Sequence, residues 1–242
     1  MTATWLIARR ELAGYLRTMS GYVIAAAALF VQGILFNALA LGSEQSRLST
    51  DVLSQFFWLY SGTTIVVSVL LSMRLLAEER QTGTMVLLAS SPVHEHEIVI
   101  GKFVSSLFFL VLITLPSVFM PLLILVNGKL SLGHVAVGYL GLFLLGSACL
   151  AIGTLGSTLA RTQLLAVIIS GGMIAGMILL FPLGNLSERP VSDVLFALGL
   201  WHRHFPPFQS GLVNLRDIVY YLAVTYFALF IAIRVLEARR WR

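Results

Sequence analysis

Six long stretches of this chain contain no Asp, Glu, Lys or Arg, and they restrict it more than any other feature: residues 18–43, 52–73, 103–128, 130–160, 162–187 and 218–233. The first five hold 22 to 31 residues and the last 16. A helix needs about 20 apolar residues to cross the hydrocarbon core of a bilayer. The sixth stretch reaches that length if Arg234 snorkels and the helix runs on to Leu236. Barrel strands would alternate over about ten residues, whereas these runs are longer and apolar on all sides. The expected fold is therefore all-α: one membrane domain over residues 1–242, with spans at 21–41, 53–73, 103–126, 135–159, 164–183 and 218–236.

Composition agrees. Only 11% of residues are charged and 58% are hydrophobic, against roughly 25% charged in a soluble domain. The net charge of +5 would raise nucleic acid as a partner for a soluble chain, but here the basic residues flank apolar runs and act as topology signals. With the N-terminus inside, 11 Lys and Arg fall on the inner side and 5 on the outer. This predicts that both termini are cytoplasmic. The first apolar stretch is too long, and its basic flank too extended, for a cleaved leader, so it reads as a signal anchor. Cys149, the single cysteine, lies inside a span and reads as a small packed hydrophobe.

Outside the spans, residues 4–20 read as an interfacial helix. Trp5, Ala8, Leu12, Tyr15 and Met19 recur at helical spacing, with Arg10 and Arg17 off that stripe and Arg9 beside it. The most informative segment lies between spans two and three. Glu78, Glu79 and Arg80 are expected to continue the second helix, with Gly83 ending it. Thr84 caps a short helix from Met85 to Ser90, and Ser91-Pro92 stops it. A two-turn helix bearing Met85, Leu87 and Leu88 is unstable alone in water and needs the membrane surface or a groove on a cytoplasmic partner. The residues leave that choice open. His94-Glu95-His96-Glu97 has metal-like spacing but no third ligand close by, and reads as a solvated helix start. In the outer segment 184–216, Asp193 is expected to cap a helix from Val194 to Leu200, and His202 and His204 to sit at the interface. Gly153 with Ser157, and Gly172 with Gly176, have the spacing that lets membrane helices approach closely, within the chain or across a homodimer seam.

The sequence contains no Gly-x-x-x-x-Gly-Lys-Ser/Thr, no His-Glu-x-x-His and no Gly-x-Ser-x-Gly, so the chain is expected not to be an enzyme and to bind no cofactor or metal itself. The span cores lack ionisable groups, which disfavours a proton-driven transporter. No repeat relates residues 1–120 to 121–242, as a single-chain secondary transporter would often show.

Glu78-Glu79-Arg80-Gln81-Thr82-Gly83-Thr84, Leu87-Leu88, Ser91-Pro92 and Gly101-Lys102, with the opening Ala8-Arg9-Arg10-Glu11-Leu12 and Tyr15 and the late Phe208, Gly211 and Leu215-Arg216-Asp217, resemble the ABC-2 type permease subunits. The subgroup most similar is that of the gliding-motility and nitrous-oxide-reductase-maturation permeases. The resemblance implies six spans, an amphipathic N-terminal helix and outer re-entrant helices before span six. It implies a multi-pass protein of the bacterial inner membrane that works with a second permease subunit and with separate ABC ATPase subunits carrying ATP and Mg. It also implies that Met85 to Ser90 is a coupling helix docked in an ATPase groove. ATP-driven closure of the ATPases would then tilt span two through its continuity with Glu78. The alternative is a membrane scaffold that anchors an ATPase or a motility or maturation assembly and transports nothing.

Overall fold

A computed structural model describes residues 3–40, 49–85, 93–124 and 131–240. Every regular element among them is a helix. The chain opens with α1 (Ala3–Arg17), bends at Thr18, and enters α2 (Met19–Leu35), whose last turns widen into a π-helix over Phe36–Ala40. There follow α3 (Ser49–Ser72), α4 (Ala77–Gln81), α5 (Glu95–Thr114) and α6 (Phe119–Ile124). The chain continues through α7 (Leu132–Leu159), α8 (Gln163–Leu186), α9 (Val191–Leu198), α10 (Pro206–Gln209) and α11 (Leu215–Arg240). Among the described residues, six segments are long and apolar enough to cross a membrane, beginning at Met19, Thr50, Glu95, Leu132, Gln163 and Leu215. Their number is the one expected.

The helix of span three starts at Glu95, well before the expected residue 103, because Glu95 and Glu97 occupy its favourable first turn. It is also interrupted. Pro116 has no N–H to give, and the chain tightens into a 3₁₀ turn over Leu115–Val118. Side chains then take up the carbonyls there: Thr114 Oγ1 donates to the Val111 carbonyl at 2.8 Å and Ser117 Oγ to that of Thr114 at 2.6 Å. In a membrane such side-chain bonds are what make a proline tolerable.

α7 is the axis of the bundle. Its 28 residues extend about 42 Å, and α3, α5, α8 and α11 pack around it. The approach is close because α7 presents glycine. A Cβ added at Gly138 would lie 2.2 Å from the Phe57 ring, and one at Gly153 2.1 Å from Ser72 Oγ. The Gly153 and Ser157 pair thus packs inside the chain. Gly172 and Gly176 of α8 do not: ideal Cβ atoms there meet nothing within 4 Å. Cys149 is fully buried in the core, as its position in an apolar run suggests.

At one end of the bundle, called here the far end, α9 and α10 fold back onto the spans. Trp201 stacks on Trp58 with centroids 4.1 Å apart, and its Nε1 donates to Ser61 Oγ at 2.8 Å. Phe208 fills the notch at Gly141, where an added Cβ would lie 2.5 Å away. That contact is about 14 Å along α7 from its first residue, so α10 is sunk into the bundle. Two expectations need correction. α9 begins at Val191, after Pro190, so Asp193 sits in the first turn instead of capping. His204 is buried and not interfacial. Its Nδ1 lies 2.7 Å from Asp217 Oδ1, its Nε2 lies 3.1 Å from the Ala197 carbonyl, and its ring stacks on Tyr220 at 3.8 Å. Carboxylate and carbonyl both accept, so both hydrogen bonds form together when the ring carries both protons.

Candidate functional site: a charged junction around α4

The opposite end is organised around α4 and the turn before it. Span two was expected to run unbroken into Glu78. Instead regular α-helix stops at Ser72, a turn covers Met73–Leu76, and Glu78, Glu79 and Arg80 sit on the separate short helix α4. The cause lies far away in the sequence. Ser157 Oγ of α7 accepts from the backbone N–H of both Leu76 and Ala77 at 3.0 Å. It thereby satisfies donors that the first turn of a helix leaves orphaned. Leu75, Leu76 and Ala77 are fully buried around it. The freed end of α3 is met from another side, where Tyr15 of α1 donates its hydroxyl to the Leu71 carbonyl at 3.2 Å and stacks on Phe109 at 4.9 Å.

The charges of α4 are spent inside the chain. Arg74 grips Glu78 with two hydrogen bonds, Nε to Oε2 at 2.8 Å and Nη2 to Oε1 at 3.1 Å, and its third nitrogen reaches Ser20. Glu79 Oε1 lies 2.9 Å from Lys102 Nζ, and Lys102 Nζ lies 3.0 Å from Glu11 Oε1. The Lys102 side chain is 1% exposed, so a buried ammonium is shared by carboxylates from α1 and α4. Arg10 adds a partner at the rim, 3.0 Å from Glu11 and 3.5 Å from Glu79. Burial pushes the Glu11 carboxyl up, but Lys102 and Arg10 together outweigh it and hold the carboxyl below its ordinary 4.5. Arg80 donates to the Thr158 and Ala160 carbonyls at the C-terminus of α7, and Gln81 Oε1 accepts from the N–H of Gln163 at the start of α8. Arg239 of α11 reaches the Leu159 carbonyl at 3.1 Å. α4 is therefore tied directly to α1, α5, α7 and α8.

Of the other residues singled out in the sequence, Gly83 adopts φ +75° just after α4, a conformation that favours glycine. Thr84 hydrogen-bonds Thr82 Oγ1 at 3.0 Å, and Met85 is helical and packs against the cluster around Leu76, Ile98 and Val99. Leu87, Leu88, Ser91 and Pro92, and with them most of the expected coupling helix, lie outside the described residues. On α1, Ala8 and Tyr15 are buried and Leu12 partly so, facing the bundle, while Trp5, Arg9 and Arg10 are exposed. The close approach of α1 to α5 runs over Gly101, where an added Cβ would lie 2.9 Å from the Thr4 carbonyl oxygen. His94 stands at the N-terminus of α5, its backbone N–H held by Glu97 Oε2 at 3.2 Å. In the sequence, Lys102 stands as a flanking charge and as part of the Gly101-Lys102 pair that resembles the family, and Ser157 only as a small packing residue. The missed signal for Lys102 is its register. Ile98, Val99, Lys102, Ser105 and Ser106 share the buried face of α5, so a lysine at that position has to find anions.

A polytopic all-helical membrane protein with an N-terminal helix clasped to a short charged helix after span two is the class that this geometry defines. Residues 2–185 match the ABC-2 type transporter family, and the chain belongs to that family. The match runs from α1 to the end of α8 and so contains the whole of α4 and its partners on α1, α5, α7 and α8. A comparison with curated proteins finds no match.

Proposed function

We propose that this chain is the permease subunit of an ABC transporter, that a separate ATPase subunit docks on the segment following α4, and that α4 carries the ATPase's movement into the spans. Membership of the ABC-2 type family supports the permease reading. The observation that carries the mechanical part is the convergence of α1, α5, α7 and α8 on α4 through Lys102, Ser157, Arg80 and Gln81. Because the helix is broken at Met73–Leu76, movement passes sideways through these side chains and not along one rigid rod. The Glu78 and Glu79 carboxylates are committed to Arg74 and Lys102, while Gln81, Thr82, Gly83 and Thr84 are exposed. The partner surface is therefore Gln81 to Thr84 together with Leu87 and Leu88. Coupling requires that the ATPase's two states differ in their contacts here.

In this reading a second permease subunit completes the pathway, the junction end and both termini face the cytoplasm, and the membrane is the bacterial inner membrane. The sequence pattern also supports placing it with the gliding-motility or maturation permeases within this reading. The test is an affinity purification in mild detergent, scored for a co-purifying P-loop ATPase, followed by reconstitution with ATP. Leu87→Asp with Leu88→Asp is expected to lose the ATPase and ATP-driven transport while still inserting. Transport that persisted in this variant would remove the coupling role. An ATPase that binds but never turns over with any cargo would favour a scaffold.

A further inference from the structure

The far end carries an open depression of about 560 Å³ between α8, α9 and the loop around α10. Phe181 and Phe196 form apolar walls, and Arg203, His202, Ser210 and Asn214 supply polar groups. Arg74 is held by a carboxylate and Arg80 by two carbonyls, whereas Arg203 has no ion pair and no hydrogen bond among the described residues. The Asp217 carboxylate, at the start of α11, is taken by His204 at 2.7 Å. The His202 ring is fixed by stacking on Phe181 at 5.0 Å and by edge contacts with Trp58 and Trp201, yet its Nδ1 is buried without a hydrogen-bond partner. Such an atom costs free energy unless something fills the role. Asn214 stands immediately before α11, at the positive end of that helix's dipole. Phe181 lies about 27 Å along α8 from its first residue, a distance that places the depression near the headgroup level of a bilayer.

We infer that this depression binds one anionic amphiphile, with its phosphate or carboxylate on Arg203 and its apolar part laid against the Phe181 and Phe196 rings, which pack on each other at 5.2 Å. An unpaired guanidinium beside aromatic walls selects that combination: the cation presents a fork of donors to the oxyanion and the rings take the apolar portion out of water. Neither a plain hydrocarbon nor a free phosphate satisfies both halves. The ligand's source is either a lipid of the bilayer or a single-chain molecule that passes through the protein. The site needs no ATPase, so it stands or falls separately from the coupling role.

The test is native mass spectrometry of the purified full chain from neutral detergent, titrated separately with phosphatidylglycerol, phosphatidylcholine, dodecyl phosphate and inorganic phosphate. The wild type is expected to hold one phosphatidylglycerol or one dodecyl phosphate, at least roughly tenfold tighter than phosphatidylcholine, the scale of one charge-assisted contact. Arg203→Gln should remove that preference and Arg203→Lys keep part of it, which separates loss of charge from misfolding. Retention of phosphatidylglycerol identifies a bilayer lipid as the class. Retention of dodecyl phosphate alone identifies a smaller amphiphile. Equal retention of the neutral lipid, an undiminished preference in Arg203→Gln, or displacement by inorganic phosphate at similar concentration would overturn the site.

Discussion

The two ends of this bundle are closed by different chemistry. At the junction end, α4 is a helix of only five residues, and what fixes it are ion pairs and donated hydrogen bonds from residues distant in sequence. At the far end, α9 and α10 are held by ring stacking, by Phe208 in its glycine notch, by hydrogen bonds such as Trp201 to Ser61 and Tyr221 to the Leu200 carbonyl, and by the buried pair of His204 with Asp217. A network of ion pairs has discrete partners that can be exchanged, and a packed aromatic layer has few alternatives. The junction end is thus suited to adopt a second arrangement, and the far end to stay put while it does.

The largest effect that would test this contrast is expected at Lys102. Lys102→Met leaves the Glu11 and Glu79 carboxylates facing one another in a buried site, and breaking a buried pair from one side costs about 3–5 kcal/mol. Thermal unfolding in detergent should register the loss, and Glu11→Gln with Glu79→Gln should restore most of it in the same chain, because the stranded charges are then gone. If the single change is harmless, the ammonium does not hold the junction. Next comes Asp217→Ala, at about 3 kcal/mol on the same reasoning. Combined with Lys102→Met it should add within about 0.5 kcal/mol, as sites without shared partners do. A larger coupling would mean that the ends communicate in the resting state and would break the contrast. Ser157→Ala strands the N–H groups of Leu76 and Ala77 and is expected to cost about 2 kcal/mol. Unlike Asp217→Ala, it should not be additive with Lys102→Met, since both side chains hold α4.

Much of this fold was legible in the sequence because the bilayer imposes a simple rule: uncharged runs long enough to cross will cross. Five spans follow from it directly, and the sixth once Arg234 is taken into the helix. Their ends do not, because a charge does not stop a helix. α5 extends back to Glu95 through Glu97 and Lys102, and α11 begins at Leu215 with Arg216 and Asp217 in its first turn. The position of the junction was legible from Glu78 to Thr84, whereas its wiring was not. Ser157 caps a turn some eighty residues earlier, and Lys102 finds Glu11 on a helix at the other end of the chain's first half. No local pattern encodes such pairs. Only the register of Lys102 on the buried face of α5 shows that partners must exist. At the far end, burial of His204 depends on Asp217, which lies 13 residues further on and just outside the expected sixth span.

The smallest effect sharpens the contrast by pH. The Glu11 carboxyl is held below its ordinary value by Lys102 and Arg10 against the opposing pull of burial. A group whose pKa is lower folded than unfolded adds stability above its unfolded pKa and loses it as pH falls through the folded one. Wild type should therefore melt above Glu11→Gln at pH 7, and the gap should narrow as pH drops below about 4.5, the ordinary range of a glutamate. Most of the loss belongs to the grip of α1 on Lys102, so it should shrink when Lys102→Met is already in place and only Arg10 is left beside Glu11. A gap that stays constant across this range would mean that Glu11 acts through its shape and not its charge, and the junction would then be packed, like the far end, and not held by ion pairs.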